Sequence, residues 1–474
     1  MNVKVLGSDG VHRIDEAART ILERTGVLVP HEPMLRLFEK ADAKVDFASQ
    51  RVRIPSSLID LCLSTAGKTF TLYGRDRAKT APFGQGRRNY NSSAGQALWV
   101  ESDGTRRFPT MADVTRAAQI GHMLPLLNVV GPMADPHELD VRYRCVEVTA
   151  ELIRKTDKPL TFWFHDRASA RFIIELMAAV AGSRENLARY PLAYPFLEPI
   201  SPLRFPFNGI DLLFETCQIP LPVPIGPMAQ VGLSAPGTLA ATVSVETAEI
   251  LAGVCVVQLI RPGTPVCFGG IPHAFDMCTT QCIFGGPEQG LMAAALTEVG
   301  KRYGLPVYIN VGLVDAKCVD AQAGLEAAAS LLLGVQAGAD IFGHMGIVGA
   351  DQGGGLEMLV FQHEVMSYIE RLARGFEVTS EKLALDLIDD IGPGGTFIDQ
   401  EHTVRHFREE VWMPRLLNRQ YWQQWEDEGK PDLAVRVRRH VQDLLAAYEQ
   451  PPLADGLAAN LDRIVADAKK HLTK

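Results

Sequence analysis

Between residues 88 and 375 the chain repeats one unit eight times: a short apolar segment, a polar turn, then a stretch with apolar residues at helical spacing. The apolar segments fall at 89–100, 127–133, 160–164, 192–197, 223–228, 266–270, 307–311 and 341–345. Long helical stretches follow most of them, at 141–154, 238–260, 288–303, 321–336 and 356–373, and Pro109-Thr110 starts another. Parallel strands cannot be joined by a tight hairpin, so a strand followed each time by a helix reads as one member of a parallel sheet. Eight such units predict an α/β fold of the (β/α)8 TIM-barrel type. A doubly wound open sheet is the competing topology, but no GxGxxG follows an early strand.

The flanks differ. Residues 1–87 read as an N-terminal extension: apolar residues recur at helical spacing over 15–24 and 33–40, and TFTLYGRD then alternates as a strand. Residues 376–474 read as a C-terminal helical region, charged and interrupted by the loop GPGGTFIDQ at 392–400. Its aromatics Trp412, Tyr421, Trp422 and Trp425 suit docking on the barrel or on a second subunit of a homo-oligomer. The net charge of −9 and the lack of a basic block count against nucleic acid. The first residues lack the apolar core of a signal peptide, and the apolar run 250–260 is too short to cross a membrane. Eight cysteines scattered through apolar stretches point to free thiols in a cytoplasm, not to a disulfide framework.

A barrel of this kind places its site at the C-terminal ends of the strands. Reading those ends in order yields Asp135 and His137; Phe162, Trp163, Phe164, His165 and Asp166; Tyr194, Phe196, Glu198 and Arg204; Met228 and Gln230; Phe268 and His273; Asn310, Asp315 and Lys317; and His344, Asp351 and Gln352. The set is rich in aromatic rings and histidine. Ring faces attract quaternary ammonium groups, although Phe162 and Phe164 also fit a plain barrel core. The sharpest local signal is FGHMGIVGADQGGG, with six glycines in fourteen residues, which lets backbone approach a large ligand. His344 within it is either a ligand-facing or a satisfied core histidine, and Asp351 also fits a turn or cap. His273, Cys278 and Cys282 raise zinc ligation as an alternative, but their spacing is not CxxC and no metal is expected. No GxSxG, Walker loop or HExxH is present.

Four stretches carry a resemblance: LEPISPLRFPFNGIDLLFE (197–215), the segment from IGPMAQ to CFGG (225–270), FGGPEQGLMAAALTEVGKRYGLP (284–306), and DAKCVDAQAGLEAAASLLLGVQAGAD (315–340). In order and spacing they resemble the trimethylamine methyltransferase family, whose last stretch has Ser where Ala316 stands here. The resemblance runs from about residue 10 to the end and is strongest over 195–375. It implies a (β/α)8 barrel that moves a methyl group from an amine to the cobalt of a separate corrinoid protein. Archaeal founders carry pyrrolysine and use trimethylamine. This chain holds standard residues throughout, and its GHMG…DQGG segment is most similar to the glycine betaine type. The resemblance thus implies a quaternary-amine methyltransferase, with glycine betaine as the expected substrate and carnitine, proline betaine, butyrobetaine or trimethylamine as alternatives. A non-catalytic betaine-binding protein and a zinc-dependent thiol or alcohol methyltransferase built on His273, Cys278 and Cys282 are further ones. The expected cofactor is the partner's corrinoid, with none tightly bound to this chain. Phe164, Tyr194, Phe196 and Phe268 are expected to shape the ammonium pocket. His344 and Gln352 are the expected catalytic residues. With His165 they would hold the substrate carboxylate or orient its nitrogen, and Arg204 and Lys317 are further carboxylate candidates. Glu198, Asn310 and Asp351 complete the expected substrate-binding set.

Overall fold

The computed structural model describes residues 3–474. Five of the eight expected segments form one parallel sheet, in the order Asn89–Ser92, Ile341–Met345, Val307–Asn310, Val266–Gly270, Val223–Ile225. The other three are too briefly paired to count as regular strands, but parallel bridges join Asn91 to Val129, Val130 to Leu160 and Leu197 to Ile225. The Leu160 N–H also donates to the Leu192 carbonyl at 2.9 Å. The fold is α/β, a parallel sheet flanked by helices.

Side chains alternate across this sheet. Cys267, Tyr308 and Ile341 point inward and meet Val129 and Tyr194. The hairpin Phe70–Tyr73/Thr80–Phe83 closes this interior with Phe70, Leu72 and Phe83, the two phenylalanines stacked at 4.3 Å. Val266, Phe268, Val307 and Phe342 point outward and join the larger core between strands and helices.

Helix starts follow local chemistry. Asp140, Asp166, Thr238 and Asp320 each accept a backbone N–H of the first turn, and Thr110 forms a capping box with Asp113 ahead of Met111–Met123. The helix Leu239–Ile260 is long and apolar enough to cross a membrane by composition alone, yet it is buried on nearly all sides. Helices Gly7–Arg24 and Ser56–Thr65 cover its outer face while its inner face lies on the sheet, which explains an apolar surface all round. The N-terminal region also forms a small antiparallel sheet, Val27–Leu28, Arg51–Arg53 and Lys44–Asp46, that periodicity did not reveal.

The first expected segment, 89–100, is not one strand. The ladder strand ends at Ser92, where Ser93 turns to exchange hydrogen bonds with Met133 and Met345. Trp99–Val100 then joins Arg106–Arg107, Gly353–Gly354 and Ile347–Val348 in a four-stranded rim sheet. In the C-terminal region, Leu461, Ile464 and Ala468 of Leu457–Leu472 bury against Val141–Lys155 and Arg167–Ala181. Between residues 380 and 427 the helices Ser380–Leu383, Leu385–Ile391, Glu401–Glu410 and Trp422–Asp427 bury no residue. Of the four tail aromatics, Trp412 donates to Ser367 at 2.9 Å and Trp425 to the Pro431 carbonyl, whereas Tyr421 and Trp422 are exposed.

Asp340 ties the N-terminal ends of the strands together. Its buried carboxylate accepts the N–H groups of Gly84 and Val307, both at 2.8 Å, and pairs with Lys301, while its carbonyl accepts from Asn89 at 2.9 Å. Asp340→Ala strands the two N–H groups and the ammonium. We expect it to lower unfolding free energy in urea by about 3 kcal/mol. A loss below about 1 kcal/mol would remove this role.

Candidate functional site

At the C-terminal ends of the parallel segments lies an open cavity of about 670 Å³, with walls from the third, fourth and fifth segments and the loops after them. Buried acceptors hold those loops. Glu249, inside the long apolar helix, accepts from Ser201 Oγ at 2.8 Å and from the Leu203 N–H, so it fixes the 199–204 wall. Glu246, three residues earlier, accepts the Ala229 N–H at 2.8 Å and fixes the 226–229 wall. Gln362 accepts the Gly346 N–H and donates to the Gly312 carbonyl, which joins the seventh and eighth loops. Glu326 accepts the Asp315 and Ala316 N–H groups, and Asp315 accepts those of Phe284 and Gly285.

Aromatic rings form the floor. Trp163 meets Phe196 edge-on at 6.2 Å and His344 at 6.1 Å, and Phe196 meets Tyr308 at 5.4 Å. Gly226 is needed here: a Cβ on it would lie 2.5 Å from the Phe196 ring. Trp163 was among the strand-end residues but not in the expected binding set. Its parity with Thr161 and His165 on segment three, opposite to Phe162 and Phe164, is the signal that marks it. Phe164 does line the cavity, stacked on Phe162 at 5.1 Å.

His344 lies beneath this floor. Its Nε2 is 2.8 Å from the Tyr308 hydroxyl and its Nδ1 is 3.5 Å from the Asn310 amide. Burial pulls its protonation down to about 4, so the ring is neutral. The orphaned Asn310 Oδ1 would accept Nδ1–H if the amide were turned over, leaving Nε2 to accept from Tyr308. The fold brings His344 and Asn310 together, and neither lines the cavity itself.

Glu198 lines the cavity, and no hydrogen bond or ion pair to its carboxyl is found among the described residues. Burial, and then the nearby Asp351 carboxylate, push it up to about 7. Asp351 sits in the glycine-rich loop with Ala350, both at positive φ (66° and 55°), and that loop is anchored by Gly349 and Ala350 N–H groups on Ala316 and Val314. Asp351 is exposed and does not line the cavity; the protein around its carboxyl lifts it to about 6, against the lowering effect of Gln96.

His165 lines the cavity wall, with Nδ1 3.4 Å from the Val141 carbonyl. Burial favours the neutral ring, but Cys145 and the Val141 carbonyl outweigh it and raise it to about 9.

Five expected members lie elsewhere. Phe268 faces outward against Tyr303 (5.9 Å), with Gly300 against its ring, because strand parity puts it with Val266 and not with Cys267. Tyr194 is fully buried in the interior beneath the floor, edge-on to Phe83. Arg204 is exposed, because its backbone pairs with Leu28 and Ile200 on the outer side of the wall. Lys317 is exposed and donates to the Asp315 carbonyl, lining a different cavity beside Glu101 and Glu357. Gln352 accepts from Arg106 and donates to Gln281 on the rim, away from His344.

The zinc alternative also fails on geometry. His273 is buried, with Nδ1 3.2 Å from the Ile283 carbonyl and its ring 4.0 Å from Phe284, while Cys278 is exposed at the hairpin tip. Among the described residues no group of three or more His, Cys, Asp or Glu side chains is placed to hold a metal ion.

The family pattern described as trimethylamine methyltransferase (MTTB) matches residues 1–473. The glycine betaine methyltransferase of Desulfitobacterium hafniense strain Y51 is 27% identical over 472 residues, covering 99% of this chain and 98% of that protein. The trimethylamine methyltransferase of D. hafniense strain DCB-2 is 26% identical over 461 residues, covering 97% and 92%. Among solved structures, the monomethylamine methyltransferase of Methanosarcina barkeri aligns over 99% of this chain and 92% of that one, at 11% identity and a TM-score of 0.47, too slight a likeness to argue from. The family match over nearly the whole length, with relatives named for the same reaction class, makes this chain a methyltransferase belonging to the trimethylamine methyltransferase family.

Proposed function

We propose that this methyltransferase moves a methyl group from a quaternary ammonium compound to the cobalt(I) of a corrinoid carried by a partner protein. The observation that carries the reading is an unpaired carboxylate, Glu198, beside the aromatic floor of Trp163 and Phe196. A fixed cation is attracted by both. The names of the relatives support the class, and glycine betaine is the substrate expected from the sequence. We also take the eight segments as a (β/α)8 barrel. Its support is the run of parallel pairings from segment to segment, with a single hydrogen bond from Leu160 to Leu192 between the third and fourth, together with the pairing of Ile341–Met345 on Asn89–Ser92.

In the proposed reaction the cobalt(I) electron pair forms the new bond to the methyl carbon. The C–N pair stays on nitrogen, which leaves as a neutral tertiary amine. No proton is transferred, so the site needs no general acid, and neutral His344 offers none. The work of this chain is to align the N–CH₃ bond with the open mouth and to exclude water from it. Trp163 and Phe196 hold the ammonium from below, and Glu198 fixes it laterally. His344 acts through Tyr308 and Trp163, so it is a positioning residue. The partner approaches from the rim, where the glycine-rich loop lies.

Methyl transfer to chemically reduced cobalamin, read by its visible spectrum from a panel of quaternary amines, tests the proposal; no methylcobalamin from any of them would overturn it. Glu198→Gln removes the carboxylate charge and should lower kcat/KM about tenfold or more, mainly through KM. His344→Ala removes the Tyr308 partner and should lower kcat about tenfold while leaving KM near its original value; near-normal kcat would end its role. The pH dependence follows from the carboxyls. The ionised form of Glu198 binds the cation, and its proton is held up to about 7, so kcat/KM should fall as pH drops through 7 and level off above it. A flat profile from pH 6 to 8 would separate Glu198 from binding.

A further inference from the structure

We infer that residues 376–427 form an arm that pairs this chain with a second copy of itself. The acidic, apolar arm of each copy covers an apolar groove on the other, beside the arginines of Leu433–Ala446. The inference is independent of the methyl-transfer reading.

The arm cannot account for itself within one chain. Its helices Ser380–Leu383, Leu385–Ile391, Glu401–Glu410 and Trp422–Asp427 are 4, 7, 10 and 6 residues long, and none buries a residue. Helices this short are marginal in water without a surface to pack on. The body grips the arm at its root: Arg371 donates to the Glu410 carbonyl, Trp412 to Ser367, and Glu364 accepts the N–H groups of Arg415, Leu416 and Leu417. Elsewhere apolar side chains face out. Phe376 is 79% exposed, Ile398 81%, Val404 74% and Trp422 71%, and Leu385, Ile388, Phe407 and Tyr421 are exposed as well. Val404 and Phe407, three apart, share a helix face, as do Leu385 and Ile388. An aromatic ring buries ~150–250 Å² when covered. Phe376, Phe407, Tyr421 and Trp422 alone therefore approach the ~800 Å² per partner that a stable interface buries. A lone soluble chain rarely leaves so much apolar surface in water.

The matching surface is on the same chain. An open groove of about 560 Å³ runs between Ala321–Ala337, Leu356–Arg374 and the start of Leu433–Ala446, with Ala328, Phe361, Val365 and Leu433 among its walls. Leu417, at the root of the arm, also lines it, yet the arm leaves it open. The three acids in the groove are turned to backbone: Glu364 to the root of the arm, Asp320 to the Ala323 N–H and Asp432 to the Val435 N–H. Beyond Leu433 stand Arg436, Arg438 and Arg439. Arg436 and Arg438 donate to backbone carbonyls, Arg439 is exposed, and none of the three is in an ion pair among the described residues. The arm has the opposite sign, with seven acidic residues against Lys382 alone between 376 and 401. Each chain thus carries both halves of a complementary contact, and a two-fold axis engages both at once.

The test is the mass of the full-length protein in solution, by light scattering at micromolar concentration. We expect twice the 51.9 kDa of the chain, or a higher even multiple. Phe407→Asp in the arm and Ala328→Arg in the groove should each weaken pairing about a hundredfold or more and leave single chains. In a two-fold pair, either variant alone spoils both contacts, whereas a one-to-one mixture of the two restores one intact contact. The mixture should pair about tenfold or more tighter than either variant by itself, a gain that misfolding cannot produce. A single-chain mass for the unmodified protein would overturn the inference. So would an unchanged mass in either variant, or a mixture that stays as single chains. A chain that stays single until a different protein is added gives this face to that protein and overturns the inference too.

Discussion

A parallel ladder leaves its neighbours to be joined by long crossovers, and every crossover begins and ends with unsatisfied backbone groups. The structure depends on how those groups are met at the two ends of the strands. At the N-terminal end, Asp340 collects N–H donors from the interior hairpin and the seventh strand around one carboxylate. At the C-terminal end, Glu246, Glu249, Glu326 and Gln362 do the same for the loops. These acceptors sit on helices, so each loop is fixed to a rigid element behind it. Open loops around a fixed floor follow from that arrangement, and the cavity is its consequence.

The same choice of acceptors shapes the electrostatics. Burial holds Glu246 well above the usual carboxylate range and Glu249 up to about 7, so these two clamps bring little negative charge with them, and Arg144 and Arg167 pair with Asp135, Asp211 and Glu215. Glu198 keeps no hydrogen-bond or ion-pair partner among the described residues and holds its proton more tightly than in water, while His165 on the same cavity wall is raised to about 9. A buried carboxylate beside aromatic rings is costly when empty and relieved when a cation enters. In the proposed reading, the attraction for a permanent cation arises from Glu198 and the rings of Trp163 and Phe196.

Much of this was legible in the residues. All eight segments take part in parallel pairing, and the caps at Thr110, Asp140, Asp166, Thr238 and Asp320 start helices where acceptors precede apolar spacing. His344, Asn310, Phe164, Phe196 and Glu198 lie at or just beneath the strand-end cavity. Side-chain direction was not legible. A strand buried on both faces is apolar at every position, so nothing in VCFGG says that Cys267 turns inward and Phe268 outward. Arg204, Lys317 and Gln352 follow strand ends in sequence, but the turns after them point each away, and turn geometry is set by partners distant in sequence such as Leu28. The clamps had a signal that periodicity arguments pass over: Glu246 and Glu249 are the two charges in a helix otherwise apolar over six turns. A charge at such a place needs a partner, and here the partners are the loops that wall the site.

In the proposed reaction, an anchor that binds the substrate too well would slow the chemistry, since the positive charge on nitrogen fades as the methyl group leaves. The aromatic floor and Glu198 both attract the ground state more than the departing amine. That attraction helps capture and opposes chemistry, so its benefit lies elsewhere in the cycle. Once the methyl group has gone, nitrogen is neutral and the attraction from the rings and the carboxylate collapses. Glu198, its carboxyl once more without an ion-pair partner, is then returned to a state that favours taking up a proton near neutral pH. The groups that draw the cation in thus hold the product only weakly, and the open cavity lets it leave before the next cation enters.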